Sequence, residues 1–305
     1  MWTRDLIFWL STKKTFTRPI ARTGMRLGFA RRFVAGETLE DGLRVAAELN
    51  ARGMQVNMNK LGEFVRDRRE AEESCASYLE ILHKLAERKI DGSVSIKPTQ
   101  LGLTFAPDLC RELTLGIVRE AARLKNFVEV DMEDSPTTEP TIALFEAVRR
   151  QHPNVALAVQ CYLYRSEKDL QRLQPLSPKI RLVKGAYREP PAVAFPKKSQ
   201  VDDNYRRLLR FLFSNGFTPA VATHDEKLIE LAKQVAREAS APPDRWEFQM
   251  ILGVRRELQE KLVREGYRMR VYIPFGSEWL PYFMRRLAER PANFWFVLKS
   301  VLKGG

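Results

Sequence analysis

The sequence predicts an α/β protein, one (βα)8 barrel behind a basic N-terminal helical segment, and three observations carry that expectation. Eight short runs rich in β-branched or apolar residues recur along the chain, each about as long as a strand. Between them lie stretches whose apolar residues return every three or four positions, the period of an amphipathic helix. No break suggests a second domain, and 305 residues that are 44% hydrophobic and 29% charged can bury the core of one large barrel. A doubly wound sheet is the alternative that this alternation leaves open.

The elements follow in order. Residues 1–37 carry eight Lys or Arg against Asp5 and Glu37, with Leu6, Ile7, Phe8, Trp9 and Leu10 as the longest apolar run. Five apolar residues cannot form a signal-peptide core or a span, which needs about 20. Such a segment packs as a helix on its own domain, lies on an anionic membrane surface, or resembles a transit peptide, and the sequence leaves these open. The barrel domain is expected over residues 38–305. Its strands are MQVNMN (54–59), SVSIKP (93–98), FVEVDME (127–133), VALAVQ (155–160), IRLVKGAY (180–187), TPAVATH (218–224), EFQMILG (247–253) and MRVYIPFG (269–276). Helical periodicity marks SYLEILHKLAERK, TIALFEAVRR, DNYRRLLRFLFSNG, EKLIELAKQVAREA and EWLPYFMRRLAER, and ANFWFVLKSVLKGG reads as a terminal helix with a flexible end.

A net charge of +13 favours acidic partners such as nucleic acid, anionic lipid or an anionic cofactor. Three widely spaced cysteines without a CxxC pair suggest neither a disulfide framework nor a zinc site, and a reducing compartment is the default. His83, His152 and His224 lack metal-ligand spacing, so no metal is expected and redox chemistry would need an organic cofactor. GxGxxG and GxxxxGK[ST] are both absent, which disfavours a Rossmann site or a P-loop.

In a barrel the working groups sit at the C-terminal strand ends. Lys97, Asp131, Gln160, Lys184, Thr223, His224 and Tyr272 all fall there. Lys97 and Asp131, from successive strands, are placed to form a buried ion pair, which would be either functional or costly. Arg181, Lys184 and Gly185 make a weak phosphate-compatible cluster. Arg285 and Arg286 stand side by side past the last strand, where paired guanidinium forks suit a carboxylate or phosphate.

The strings TQLGL, DMEDSP, QCYLYRSEKDL, RLVKGAYREP, ATHD, EFQMILGVR and RRLAERPANFWFVLKS, in this order over about residues 38–300, resemble the compact monofunctional bacterial proline dehydrogenases. The resemblance implies a distorted (βα)8 barrel with non-covalent FAD that oxidises L-proline to Δ1-pyrroline-5-carboxylate and passes electrons to a membrane quinone. By position, Arg285, Arg286 and Lys97 would hold the proline carboxylate, with Asp131 organising the lysine. Tyr272, Tyr282, Leu182 and Tyr187 would wall the pyrrolidine ring, and Glu63 would pair with Arg285 as a gate. Arg181 would lie near flavin N5. Met132, Gln160, Val183, Lys184, Gly185, Thr223, His224 and Glu289 would complete the cofactor contacts. Asn59 departs from the pattern, standing where the family commonly has an acid.

Chemically, the ring nitrogen must lose a proton before the adjacent C–H bond can give hydride to N5, so positioning is the main contribution expected of the protein. Two rivals remain at this level. A basic non-catalytic module for anions or membranes would explain the charge but not the strand-end residues; an aldolase or isomerase barrel would use Lys97 or Lys184 as a Schiff-base nucleophile. No nucleic-acid partner is expected, and a separate pyrroline-5-carboxylate dehydrogenase is implied. The expected location is cytoplasmic, with peripheral contact at the inner face of the cell membrane left open.

Overall fold

A computed structural model of the chain describes residues 32–62, 65–187 and 189–279. Eight strands, all parallel to their neighbours, close in sequence order into a barrel. They are β1 (Gln55–Lys60), β2 (Gly92–Ile96), β3 (Val128–Val130), β4 (Val155–Gln160), β5 (Lys179–Val183), β6 (Thr218–Ala222), β7 (Glu247–Ile251) and β8 (Met269–Phe275). All eight expected runs are strands, shifted at their ends by a few residues. The crossover helices are α2 (Arg68–Glu87), α3 (Pro107–Arg123), α4 (Ser135–Arg149), α5 (Ser166–Leu173), α6 (Lys198–Ser214), α7 (Glu226–Glu238) and α8 (Arg256–Arg264). One further helix, α1 (Leu39–Asn50), precedes β1.

Local chemistry starts these helices where the sequence turns polar. Thr38 and Asp41 form a reciprocal capping box on α1, Asp67 caps α2, and Asp225 caps α7. Ahead of α1 the chain is tied to the end of β8: Ala35 N–H donates to Pro274 O at 2.9 Å, and Gly276 N–H to Gly36 O at 2.9 Å. The N-terminal segment of residues 1–31 and the expected helices from residue 280 onward lie outside the described residues.

Strand alternation divides the barrel wall by chemistry. Val56, Met58, Val94, Ile96, Val128, Val130, Leu157, Ile180, Leu182, Val221, Phe248 and Val271 belong to the apolar core that the helices cover. The alternate positions face inward, and they are mostly polar or small. The register pairs Ser95 with Glu129 and Glu129 with Ala156, and it sets Arg181 between Ala158 and Ala220. Most parallel-barrel interiors are filled by branched apolar side chains; here the axis is filled by charge. Among the described residues, no helix is long and apolar enough to cross a membrane.

Candidate active site

The barrel axis carries a stack of side chains, one layer from odd strands and the next from even strands. Asn57 on β1, Glu129 on β3, Arg181 on β5 and Gln249 on β7 make one such layer, and all four are buried. Glu129 lies at its centre. Its carboxylate accepts from Asn57 Nδ2, from Arg181 NH1 at 3.0 Å and from Gln249 Nε2 at 2.7 Å. Below it, Glu247 accepts from Arg270 Nε at 2.9 Å and Lys179 Nζ at 2.7 Å, and the Gln249 amide bridges to it at 2.8 Å.

Asp131 tops the column, at the C-terminal end of β3. One of its oxygens accepts from Ser95 Oγ at 2.5 Å and from Arg181 NH2; the other accepts from Lys97 Nζ at 2.5 Å and Tyr272 OH at 3.0 Å. Four bonds fill the lone-pair directions of a carboxylate. Burial alone would raise this carboxyl, but Lys97 and Arg181 outweigh it and hold the group well below the usual range. The same balance acts on Lys97 in reverse: burial opposes its charge, Asp131 restores it, and the ammonium stays protonated well above its ordinary value. The Arg181 guanidinium also lies 5.3 Å from the centre of the Tyr272 ring. Arg181 Nε is buried without a hydrogen-bond partner among the described residues.

Lys97, Asp131, Arg181 and Tyr272 line a cavity of about 1650 Å³ at the C-terminal face. Met132, Val183, Lys184, Gly185, Tyr187, Thr223 and His224 line its other side, with Gln160 between. Gln160 Nε2 donates to Glu133 O at 2.7 Å, and its Oε1 accepts from Ala186 N–H at 3.4 Å, which joins the loops after β3 and β5. His224 Nε2 accepts from the Ile251 N–H at 3.0 Å, which places the ring proton on Nδ1. Lys184 is anchored to Asp202 at 2.6 Å and to Asp225 at 3.2 Å. Gly185 has φ +125°, and a Cβ there would stand 2.4 Å from the Tyr162 ring; the bend that opens this side requires glycine.

The structure therefore gathers twelve of the expected residues around one cavity: Lys97, Asp131, Met132, Gln160, Arg181, Val183, Lys184, Gly185, Tyr187, Thr223, His224 and Tyr272. Leu182 is not among the residues that line this cavity. It belongs to the helix-facing core and is fully buried there, because on β5 its neighbours Arg181 and Val183 take the inward positions. Glu63, Tyr282, Arg285, Arg286 and Glu289 lie outside the described residues. Sequence reading passed over Glu129, Gln249, Ser95 and Tyr78. Tyr78 OH donates to Gln100 Oε1 and accepts from the Lys97 N–H at 3.2 Å, fixing the backbone from which Lys97 projects.

The family profile described as proline dehydrogenase matches residues 43–299. Proline dehydrogenase 2 of Bacillus subtilis (strain 168) is 41% identical over 304 residues, covering 99% of this chain and 100% of the relative. The proline dehydrogenase of Deinococcus radiodurans is 38% identical over 280 residues, 90% of each chain. Among solved structures, proline utilization A (PutA) from Bdellovibrio bacteriovorus inactivated by N-propargylglycine has the same fold, with a TM-score of 0.80 at 24% identity. That match covers 85% of this chain and 32% of the larger one.

Proposed function

Because this chain belongs to the proline dehydrogenase family, a family of oxidoreductases, we propose that its cavity holds non-covalent FAD and oxidises L-proline to Δ1-pyrroline-5-carboxylate. The observation that carries the reading is the Lys97–Asp131–Arg181–Tyr272 cluster, which sets two permanent cations at the wall of a large cavity.

The residues fit a flavin dinucleotide. About 1650 Å³ exceeds the roughly 300–1,000 Å³ of an ordinary small-ligand pocket, which leaves room for cofactor and substrate together. Lys184 and Gly185 line the cavity side by side, a cation next to a bend without a side chain, where they would hold the cofactor's pyrophosphate. Arg181, held by Glu129 and Asp131, lines the cavity as a fixed cation that would face the cofactor. FAD bound there supplies the two-electron acceptor at N5.

The protein's part is to bind and to orient. Lys97 gives one N–H to Asp131 and lines the cavity with the rest of its ammonium, ready for the proline carboxylate. Arg285 and Arg286 are the further carboxylate ligands of the proposal, Glu63 the gate to Arg285, and Tyr282 and Glu289 further contacts, all beyond the described residues. Tyr272 and Tyr187 line the cavity as walls for the ring. Asp131 is no base: all its acceptor sites are taken and its carboxyl stays ionised, so the proton on the ring nitrogen leaves by another route. Its work is to keep Lys97 charged and Arg181 in place.

A Schiff-base lysine must be a neutral amine. Lys97 is held charged, which speaks against the aldolase alternative at this position. Electron delivery to a membrane quinone at the bilayer surface, and a separate dehydrogenase that consumes the product, complete the reading, as does the division into residues 1–37 and a barrel of residues 38–305. The test is anaerobic addition of L-proline to the FAD-loaded protein. Loss of the oxidised-flavin absorbance is expected; an unchanged spectrum with FAD bound overturns the substrate assignment.

A further inference from the structure

We propose that Glu129, one layer beneath the site, is a positioning residue for the reaction: it holds the Arg181 guanidinium from below while Asp131 holds it from above. The proposal rests on the flavin reading of the cavity. Arg181 is a long side chain crossing the barrel from β5 to β3, and one carboxylate leaves such a side chain free to swing about that contact. Two carboxylates on successive inward positions of β3 fix both ends of its fork: NH1 on Glu129 at 3.0 Å and NH2 on Asp131. The remaining nitrogen, Nε, is the one left without a partner.

Glu129 is itself immobilised to a degree that a mere counter-charge does not require. Each of the other three strands contributing to its layer sends it one hydrogen bond, from Asn57, Arg181 and Gln249. Gln249 in turn bridges Glu129 to Glu247, so the hold continues into the lower Arg270 and Lys179 cluster. A carboxylate that is fully buried and bonded from three strands has its geometry set by the barrel itself. Replacing the Glu129 carboxylate by an amide takes one negative charge out of the network that holds Arg181, which would favour the reduced, more negative form of a flavin bound in the cavity.

The test compares Glu129→Gln and Glu129→Asp with the native FAD-loaded protein, reading the midpoint potential of the bound flavin together with kcat and KM for L-proline. E129Q is expected to shift the potential positive and to lower kcat about tenfold or more, with KM changed less than about threefold, the pattern of lost orientation. E129D keeps the charge, so its potential stays near native while kcat falls. A folded E129Q with native potential and native kcat overturns the proposal, as does one that loses only melting temperature. Should E129Q fail to fold, Gln249→Leu removes one anchor of Glu129 and leaves every charge in place: a reduced kcat at unchanged potential supports the proposal, and a native kcat overturns it. Failure of the flavin reading itself would be distinguishable, since the native protein would then bind no FAD or show no bleaching with proline.

Discussion

Replacing Asp131 by Asn tests the centre of the site. The substitution keeps the shape but removes the charge and turns one acceptor oxygen into a donor. Arg181 retains Glu129 at 3.0 Å, whereas the Lys97 ammonium loses its partner at 2.5 Å and is left buried. Removing one partner of a buried ion pair costs about 3–5 kcal/mol. At about 2 °C per kcal/mol for a large domain, the melting temperature should fall by roughly 6–10 °C. Catalysis should suffer separately. Without Asp131, burial is the dominant influence on Lys97 and favours its neutral form. A charged hydrogen bond to substrate contributes about 1.5–3 kcal/mol, so KM for proline should rise roughly 10- to 150-fold. The rise should steepen toward alkaline pH as the unpaired Lys97 loses its proton, in a range where the native lysine stays charged. Thermal melts followed by circular dichroism, with steady-state kinetics against an artificial acceptor across that range, would measure both effects. A variant that melts within about 1 °C of native, with KM within twofold at every pH, would refute this account of the cluster.

Acid stability follows from the same carboxylates. Asp131 and Glu247 are buried, yet Lys97 with Arg181 and Arg270 with Lys179 hold them below their ordinary values of 3.8 and 4.5, so the stability they contribute is complete above those values and lost as pH falls toward the folded-state ones. Once the unfolded chain protonates them, each group should remove about 1.4 kcal/mol of stability per pH unit; in urea melts from pH 5 to 3, D131N should show a slope shallower than native by up to about that amount, and an equal slope would dismiss the assignment. Gly185→Ala should weaken FAD binding at least about tenfold, because φ is +125° and the new methyl meets the Tyr162 ring. Gly216→Ala is the control: φ is +76° and the nearest atom, Ser177 Oγ, is 3.7 Å away, so it should lower the melting temperature and leave FAD affinity unchanged. Equal losses of affinity in fluorescence titrations of the two variants would show that the bend at Gly185 is not part of the cofactor seat.

The fold was legible because both periods are clean. Strand runs and amphipathic stretches alternate, and polar groups mark the C-terminal side of six of the eight strands. The residues around the cavity were legible from those ends and from the family motifs. At Leu182 motif and period point different ways: a motif names consecutive residues, whereas a strand sends only alternate ones inward, and Arg181 and Val183 take those places. Glu129, Gln249 and Arg270 were passed over because attention to strand ends neglects strand interiors. A signal was present in N-x-N on β1, S-x-S-x-K through β2, E-x-D through β3, K-x-R on β5, E-x-Q on β7 and R-x-Y on β8. Strands covered on both faces ordinarily read as continuous apolar runs, so polar residues at every second position announce a polar axis. The contacts along that axis depend on register between strands distant in sequence, which no local pattern encodes.

Arg181 lies in register between Ala158 on β4 and Ala220 on β6, both buried. Side chains reduced to a methyl on both flanks leave the space that the arginine crosses to reach β3. These three positions are therefore sterically coupled. A valine at Ala158 or Ala220 would evict the guanidinium, and an apolar residue at Arg181 would leave a void unless the alanines enlarged at the same time. No single substitution leads smoothly from this barrel to one with an ordinary greasy interior, or back again. Among more distant relatives with the same barrel, residue size at the three positions should change in concert or not at all.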